Sequence, residues 1–208
     1  MTNEKIKETF ITKLAAFITD YYNSSAGYYY PRFFEFIEDL LYENYLYELQ
    51  EENPDVDLDE AEDNYEMDME EFEFYVEEYL RQTYGSWEEI LEDVGEVVVN
   101  KFLEENTQFE IDDDDNLVYY EPVGISKHIQ LRFEHPQDFH RTIKNRKYVW
   151  RNQLSEETAY NWLMEDGIFK YFKDLKISDK KVFYDLFNNV YYDLCEEGQL
   201  YRKTVVKF

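Results

Sequence analysis

Three histidines and one aspartate lie within one short segment, at His128, His135, Asp138 and His140. These residue types bind metal ions and transfer protons, and the spacing allows any two of the imidazoles to approach one ion. The segment matches no zinc signature, and the chain has no HExxH, GxSxG, P-loop or dinucleotide-binding glycine motif. We therefore expect surface positions on a loop or strand, with no catalytic residue, no metal and no cofactor. An enzyme that uses this histidine segment is kept as an alternative.

A second arrangement of metal-binding residue types resembles a calcium loop. Asp55, Asp57 and Asp59 occupy the first, third and fifth positions, and Glu66 occupies the twelfth. The sixth position, where the sharp turn requires glycine, is Glu60. We therefore expect no specific calcium site, and acidic residues are too numerous in this chain for any pair to be identified as a catalytic dyad.

The composition is acidic, yet it is typical of a folded protein. The 208 residues include 48 Asp and Glu against 21 Lys and Arg, a net charge of −27, and 19% of the residues are aromatic. Disordered acidic chains are poor in aromatic residues, and the low content of glycine (6) and proline (4) favours helices over a turn-rich sandwich. A chain with this charge is repelled by nucleic acid, so we exclude direct binding to DNA or RNA. No signal peptide or membrane span is evident, and Cys195 is the one cysteine, so we expect a cytoplasmic protein.

The negative charge is concentrated in the first three-fifths of the chain. Residues 1–124 carry 36 acidic and 6 basic side chains, a net charge of −30, whereas residues 125–208 carry 12 acidic and 15 basic ones, a net charge of +3. Solubility alone would be served by acidic residues scattered over the whole surface. The asymmetry therefore indicates a binding partner for the acidic part.

Hydrophobic periodicity predicts an α+β fold that is mainly α. We predict an acidic helical region at 1–105 with helices over about 4–22, 31–50, 60–84 and 86–103, the last opened by a Ser86–Glu89 capping box. The side chains expected inside are Ile6, Phe10, Leu14, Phe17 and Tyr21; Phe33, Ile37, Leu40 and Leu41; Tyr65, Met69, Phe72, Val76 and Tyr79; and Ile90, Leu91, Val94, Val97 and Val98.

Region 106–208 is predicted to combine a small antiparallel sheet with two helices, and it could share one core with the first region. Alternating apolar residues predict a hairpin around the polar turn 112–116. The further elements expected are strands at 128–133, 148–150 and 200–208 and helices at about 155–172 and 178–196.

The acidic helices could present charge at a density close to that of DNA. Seven of the thirteen residues at 66–78 are acidic, which gives about one charge per 2.8 Å if all thirteen are helical. Duplex DNA carries about one charge per 1.7 Å of its axis. Acidic residues on the preceding helix, including Glu48, would raise the combined density further, and Met67 and Phe74 could provide apolar anchors if they are exposed.

The predicted partner-binding set contains the acidic side chains of both helices, one phenylalanine and the hairpin turn. Its members are Glu66, Asp68, Glu70, Glu71, Glu73, Phe74, Glu77 and Glu78; Glu35, Glu38, Asp39 and Glu43; and Asp112, Asp113, Asp114 and Asp115. The nearest approach to a basic patch is Arg141, Lys144, Arg146, Lys147 and Arg151, for which ordinary salt bridging is the simplest explanation.

In composition and charge layout, residues 1–124 resemble the acidic DNA-mimic proteins with which phages and mobile elements block bacterial defence nucleases. That resemblance implies an inhibitor, monomeric or homodimeric, that occupies the nucleic-acid groove of a CRISPR effector or a restriction enzyme, with the first slightly favoured. It also implies the cytoplasm of a bacterial host. Two alternatives share the electrostatics: an immunity protein or antitoxin that neutralises a cationic toxin nuclease, and an acidic chaperone for basic proteins.

Overall fold

A computed structural model describes residues 1–24, 32–57, 61–62, 64–165 and 168–208. The fold is α+β and mainly helical, as the sequence predicted. Within the described ranges, no helix is both long and apolar enough to cross a lipid bilayer.

The helices account for most of the chain. They are α1 (Asn3–Ser24), α2 (Arg32–Glu52), α3 (Met69–Thr83), α4 (Trp87–Val94), α5 (Glu96–Glu105), α6 (Ile125–Glu134), α7 (Phe139–Asn145), α8 (Glu156–Glu165), α9 (Ile168–Asp174) and α10 (Lys180–Tyr192), followed by a π-helical turn (Asp193–Glu197).

In the part of the chain that the structure describes, four strands form one small sheet. They are β1 (Phe109–Ile111), β2 (Leu117–Pro122), β3 (Tyr148–Arg151) and β4 (Gln199–Val205), in the order β1-β2-β4-β3. Strand β4 runs antiparallel to both β2 and β3, with Tyr120 opposite Lys203 and Trp150 opposite Leu200. The predicted hairpin and the predicted strands at 148–150 and 200–208 are therefore confirmed.

The chain divides into two compact units. Unit 1 comprises residues 1–117 and 206–208, and unit 2 comprises residues 118–205. Unit 1 contains 35 acidic and 7 basic residues, a net charge of −28, whereas unit 2 contains 13 acidic and 14 basic residues, a net charge of +1. The charge asymmetry of the sequence is therefore also an asymmetry between the two units.

The core of unit 1 is centred on Phe10 of α1, which is fully buried. Its ring meets the rings of Trp87, Phe102, Phe109 and Phe208 nearly edge to face, at centroid distances of 5.8, 5.4, 5.2 and 5.9 Å. Each such pair stabilises a fold by about 0.5–1.5 kcal/mol beyond its buried area. Helix α3 packs along α1, so α1 fixes the orientation of the acidic helix α3.

Unit 2 has its own core, formed by α6, α8, α9 and α10. Its centre contains Ile129, Leu163, Ile168 and Val190, each 2% exposed or less. A smaller cluster lies against the sheet and consists of Val123, Leu131, Phe139, Ile143, Tyr148 and Leu200.

The helix predicted at 60–84 is shorter than expected, because it begins at Met69 and ends at Thr83. Asp68 is its N-cap: its carboxylate accepts hydrogen bonds from the backbone N–H groups of Glu70 (2.8 Å) and Glu71 (3.4 Å). Aspartate is more favourable at a helix start, where its carboxylate binds free backbone N–H groups, than inside a helix. The helix therefore begins after Asp68 and does not extend further towards the N-terminus. Residues 64–68 are not helical, and residues 58–60 and 63 lie outside the described ranges.

The capping box predicted at Ser86 is confirmed, because Ser86 Oγ accepts from the N–H of Glu89 and the Glu89 carboxylate accepts from the N–H of Ser86. The helix it opens does not continue to 103, however, since Gly95 interrupts it with φ near 90°. The change of direction exposes Val97 (65%), which was predicted to be inside, and buries Val99 (0%) instead.

The strand predicted at 128–133 is wrong, because these residues belong to helix α6. The alternation of Ile129, Leu131 and Phe133 is too short to distinguish the two-residue period of a strand from the 3.6-residue period of a helix. The helix instead buries Ile125 and Ile129, one turn apart, and leaves Phe133 half exposed (50%).

Three other helical predictions need adjustment. The helix at 155–172 is two helices, α8 and α9, on either side of residues 166–167, which lie outside the described ranges. The helix at 178–196 gives way to the π-helical turn at Asp193, and α7 was not predicted. Several side chains expected inside are only half-buried: Phe17, Tyr21, Leu40, Tyr65, Met69, Tyr79 and Leu91.

Candidate functional site

The solvent-facing side of α2 carries two aromatic rings with two carboxylates between them, a row that we call the α2 stripe: Phe36, Asp39, Glu43 and Tyr47. Steps of three, four and four residues place them on one side of the helix. Phe36 is 48% exposed and Tyr47 64%, and both carboxylates are exposed. Within the described residues, neither Asp39 nor Glu43 has an ion-pair partner, so both are available to an external cation.

Helix α3 presents a second acidic face. Glu70 and Glu71 are exposed in its first turn, and Phe74 is 61% exposed one turn after Glu70. The remaining predicted members on this helix are half-buried: Glu73, Glu77 and Glu78. The predicted aromatic anchor at Phe74 is therefore exposed, whereas Met67 is half-buried.

Some of the predicted carboxylates are already engaged in holding unit 1 together. Glu77 accepts a hydrogen bond from Thr12 Oγ1 of α1 at 3.0 Å and forms an ion pair with Arg81. Glu38 accepts a hydrogen bond from the hydroxyl of Tyr22. These two carboxylates stabilise contacts between elements, so they are less available to a partner than Asp39 or Glu43.

Three tyrosines gather where α2 meets the segment before α3. The ring of Tyr65 lies 5.2 Å from that of Tyr42 and 5.1 Å from that of Tyr45. Burial raises the pKa of Tyr65, and the negative charges of Glu71 and Glu38 raise it further. Glu38 of α2 and Glu71 of α3 therefore both lie near the Tyr65 phenol.

The predicted hairpin turn has a structural and an exposed part. The Asp112 side chain closes the turn, since its Oδ1 accepts from the backbone N–H groups of Asp114 (3.1 Å) and Asn116 (3.0 Å). Asp115 adopts a positive φ of 58°, which aspartate tolerates better than most residues. Asp113, Asp114 and Asp115 are exposed at the tip, whereas Asp112 is half-buried.

The carboxylate density on each helix is lower than the sequence suggested. Helix α3 has five acidic residues in 15, and α2 has seven in 21. At 1.5 Å per residue, each helix carries about one carboxylate per 4.5 Å, not one per 2.8 Å. The difference arises partly because Glu66 and Asp68, although exposed, precede the helix, and mostly because the last five residues of α3, 79–83, include no acidic residue.

The remaining acidic predictions are placed as follows. Glu35 and Glu48 are exposed on α2. In the calcium-like loop, Asp55 and Asp57 are exposed, and Asp59 lies outside the described residues.

The prediction that the histidine segment occupies surface positions on a loop or strand is wrong for His128, whereas Asp138 and His140 are exposed at the start of α7 and His135 directly follows α6. His128 lies on α6 and is 1% exposed, and its Nε2 is 3.2 Å from Oδ2 of the fully buried Asp193. Arg132 Nη2 donates to both oxygens of that carboxylate at 2.7 Å. The His128 ring also stacks on Phe139 at 5.4 Å. A buried carboxylate needs such a partner, so this group is a charge-balanced link between α6 and the π-helical turn.

One group in unit 2 has the composition of a metal site. His140 Nδ1 lies 3.2 Å from Glu197 Oε2, and the donor atoms of His140, Glu197 and Asp193 are all within 4.8 Å of one another. Arg132 already binds both oxygens of Asp193, and its positive charge would repel an ion placed there. We therefore assign this group to the same ion-pair network.

The basic segment of unit 2 is exposed for most of its length. Arg141, Lys144, Arg146 and Lys147 are exposed, whereas the Arg151 guanidinium packs 4.0 Å from the Tyr120 ring centroid. Salt bridging, the simplest explanation from the sequence, does not account for the four exposed cations, because none has a carboxylate partner within the described part of the chain.

Phe36 was missed by the sequence analysis. The sequence nevertheless contains a pattern that marks this residue. The members of the α2 stripe recur at helical spacing, on the side of the helix opposite the buried Phe34, Ile37 and Leu41. An aromatic residue on the polar side of an amphipathic helix is the pattern that could have identified it.

No protein-family model, no curated protein and no solved structure matches this chain.

Proposed function

We propose that this protein is an inhibitor that imitates nucleic acid and blocks the nucleic-acid-binding groove of a bacterial defence nuclease. The observation that carries the proposal is the separation of charge between the two units, −28 in unit 1 against +1 in unit 2. A role in solubility alone would not require one unit to hold the whole imbalance.

Inhibition is competitive in this proposal. The exposed carboxylates of α2 and α3 take the place of phosphates and pair with the lysine and arginine side chains that line the groove. Opposite potentials also steer the two proteins together and raise the association rate, most strongly at low ionic strength. No catalytic step, metal or cofactor enters this mechanism.

The target that we favour is a CRISPR effector, and a restriction enzyme fits the same electrostatics. Both hold nucleic acid in a cationic channel, and both act in the bacterial cytoplasm. In this proposal unit 1 provides the imitating surface, and the protein binds no nucleic acid itself.

Affinity capture from a bacterial lysate tests the proposal, with and without nuclease pretreatment, read by mass spectrometry. We expect one DNA-binding nuclease to be recovered and to be displaced by duplex or single-stranded DNA. Recovery of many unrelated basic proteins that elute together at modest salt would support the acidic-chaperone alternative and contradict the proposal. A toxin nuclease encoded beside the gene would point to an immunity protein or antitoxin.

A triple charge reversal on α2 tests which carboxylates take part. We expect Glu35→Lys, Asp39→Lys and Glu43→Lys together to weaken binding to the captured nuclease by about 100-fold or more, because attraction is replaced by like-charge repulsion. Isothermal titration calorimetry measures the loss.

The matched control reverses three exposed glutamates elsewhere in unit 1, Glu88, Glu92 and Glu96. Both triple variants change the net charge equally, so only position differs. An equal loss in both variants would show that total charge, not the face of α2, determines binding. Full affinity in the α2 variant would remove these residues from the site.

A further inference from the structure

Exposed aromatic rings are interspersed with the carboxylates of unit 1. In the α2 stripe, two rings enclose two carboxylates, and the four side chains span about 16 Å of helix. On α3, Phe74 has Glu70 one turn before it and Glu78 one turn after it. Exposed rings therefore flank two carboxylates on α2, and one exposed ring lies between two carboxylates on α3.

The two rings of the α2 stripe are held in position. Phe36 packs against Tyr79 of α3 at a centroid distance of 5.2 Å, and the Tyr47 hydroxyl donates to Glu51 Oε1 at 3.0 Å. Both rings keep a large exposed fraction in these positions. A partner that stacks on them would lose little entropy in ordering them.

Exposed rings distinguish two kinds of nucleic acid. A duplex keeps the faces of its bases inside the stack and presents phosphates and base edges. An unpaired strand presents phosphates together with open base faces, and proteins that bind it combine a cationic groove with aromatic platforms. Carboxylates alone would satisfy a groove for duplex DNA, whereas carboxylates with rings fit a groove for a single strand.

We infer that unit 1 imitates an unpaired nucleic-acid strand, and that its partner is a cationic groove lined with aromatic platforms for unpaired bases. The inference rests on the proposed function, because it names the kind of groove that the acidic unit occupies. Charge complementarity draws the groove to unit 1, and stacking on Phe36 and Tyr47 adds the contact that charge does not provide.

Competition between two oligonucleotides tests the inference on the nuclease recovered by affinity capture. One is a fluorescent oligothymidine of about 20 nucleotides, longer than the site of one single-strand-binding domain, and the other is a fluorescent duplex of equal length. We expect the protein to displace the oligothymidine at a concentration at least about tenfold lower than the concentration needed to displace the duplex. Fluorescence anisotropy measures both displacements.

Ring substitutions separate this inference from the proposed function. We expect Phe36→Ala and Tyr47→Ala each to weaken displacement of the oligothymidine at least about fivefold, the lower end of what one base–aromatic stack contributes. Because no charge is lost, the dependence of affinity on salt should keep its slope, whereas the triple charge reversal should make it shallower. Tyr184→Ala is the matched control, since Tyr184 is 61% exposed in unit 2.

The other outcomes of these experiments would contradict either the inference alone or the inference together with the proposed function. Displacement of the duplex alone, a nuclease that does not bind oligothymidine, or full potency of both ring variants would overturn the inference and leave the proposed function standing. Failure to capture any nuclease, or to displace either oligonucleotide, would overturn both. Melting temperatures equal to that of the wild type confirm that the ring variants are folded.

Discussion

At the scale of single residues, unit 2 depends on one buried carboxylate. Asp193 is fully buried, and it is balanced by Arg132, which donates to both its oxygens, and by the nearby His128. Removing one partner of such a pair leaves the other charge without compensation in a medium of low polarity. Loss of one partner should therefore destabilise unit 2 strongly, although no feature of the sequence marks the group.

We expect Asp193→Asn to lower the free energy of unfolding by about 3–5 kcal/mol, because the amide keeps the shape but not the charge that Arg132 faces. Urea unfolding followed by circular dichroism measures the change. Asp185→Asn is the control, since Asp185 is exposed on α10. A loss below about 1 kcal/mol would mean that Arg132 reaches solvent readily and that the pair contributes little.

Tyr84 links stability to alkaline pH. Burial raises the pKa of this phenol far above its ordinary value, and its hydrogen bond to Asp93 Oδ2 at 2.9 Å raises it further. Tyrosine ionises in the unfolded chain near pH 10, while folded Tyr84 keeps its proton. Stability therefore falls as the pH rises above about 10, because the unfolded state releases a proton that the folded state retains.

We expect Tyr84→Phe to cost about 1 kcal/mol at neutral pH, through the lost hydrogen bond, and to remove this part of the alkaline loss. The wild type should lose up to about 1.4 kcal/mol per pH unit more than the variant above pH 10. Urea unfolding at about pH 8 and about pH 11 checks the difference. Parallel curves for the two proteins would contradict the assignment to Tyr84.

At the scale of elements, the position of Asp68 decides where α3 begins. As an N-cap it satisfies two backbone N–H groups, whereas inside the longer helix predicted from the sequence it would be slightly unfavourable. We expect Asp68→Ala to lower the free energy of unfolding by about 1 kcal/mol, measured by urea unfolding. Glu66→Ala at the neighbouring exposed position should change it by less than about 0.5 kcal/mol. A stabilising Asp68→Ala would support the longer helix.

Local signals predicted the elements whose ends are marked by specific residues. The Ser86–Glu89 capping box marks a helix start and the polar turn 112–116 marks a hairpin, so the structure confirms the start of α4 and the hairpin. The element at 128–133 has no such mark, and its identity depends on packing against α10, which sequence periodicity does not contain.

The residue types of the candidate site could be predicted from the sequence, whereas the contacts that its side chains make could be predicted only in part. The exposed carboxylates of α2 follow from helical spacing, but the engagement of Glu77 by Thr12 joins residues of α1 and α3. Such long-range contacts appear only when the helices are packed. The same holds for Asp193, whose partners lie 65 and 61 residues away along the chain.

At the scale of the whole molecule, self-repulsion opposes the compact state of an acidic protein. Unit 1 carries a net charge of −28 in 120 residues, so screening by salt should favour folding. We expect added sodium chloride to raise the melting temperature by a few degrees, where 1 kcal/mol corresponds to about 2–4 °C for a chain of this size. The same salt should weaken binding to the target.

Differential scanning calorimetry from low to about 0.5 M salt checks this expectation, with sucrose at matched water activity as the control for effects unrelated to charge. A melting temperature that falls steadily with salt would contradict repulsion among the exposed acidic side chains.

The division of the chain into units has a consequence for the order of events during synthesis. Unit 2 is continuous in sequence, whereas unit 1 needs residues 206–208, of which Phe208 packs on Phe10 and Lys207 exchanges two hydrogen bonds with Asn3. All of unit 2 is therefore synthesised before residues 206–208, which belong to the core of unit 1. The core of unit 1 is therefore complete only after all of unit 2 has been synthesised, when Phe208 can pack on Phe10 of α1.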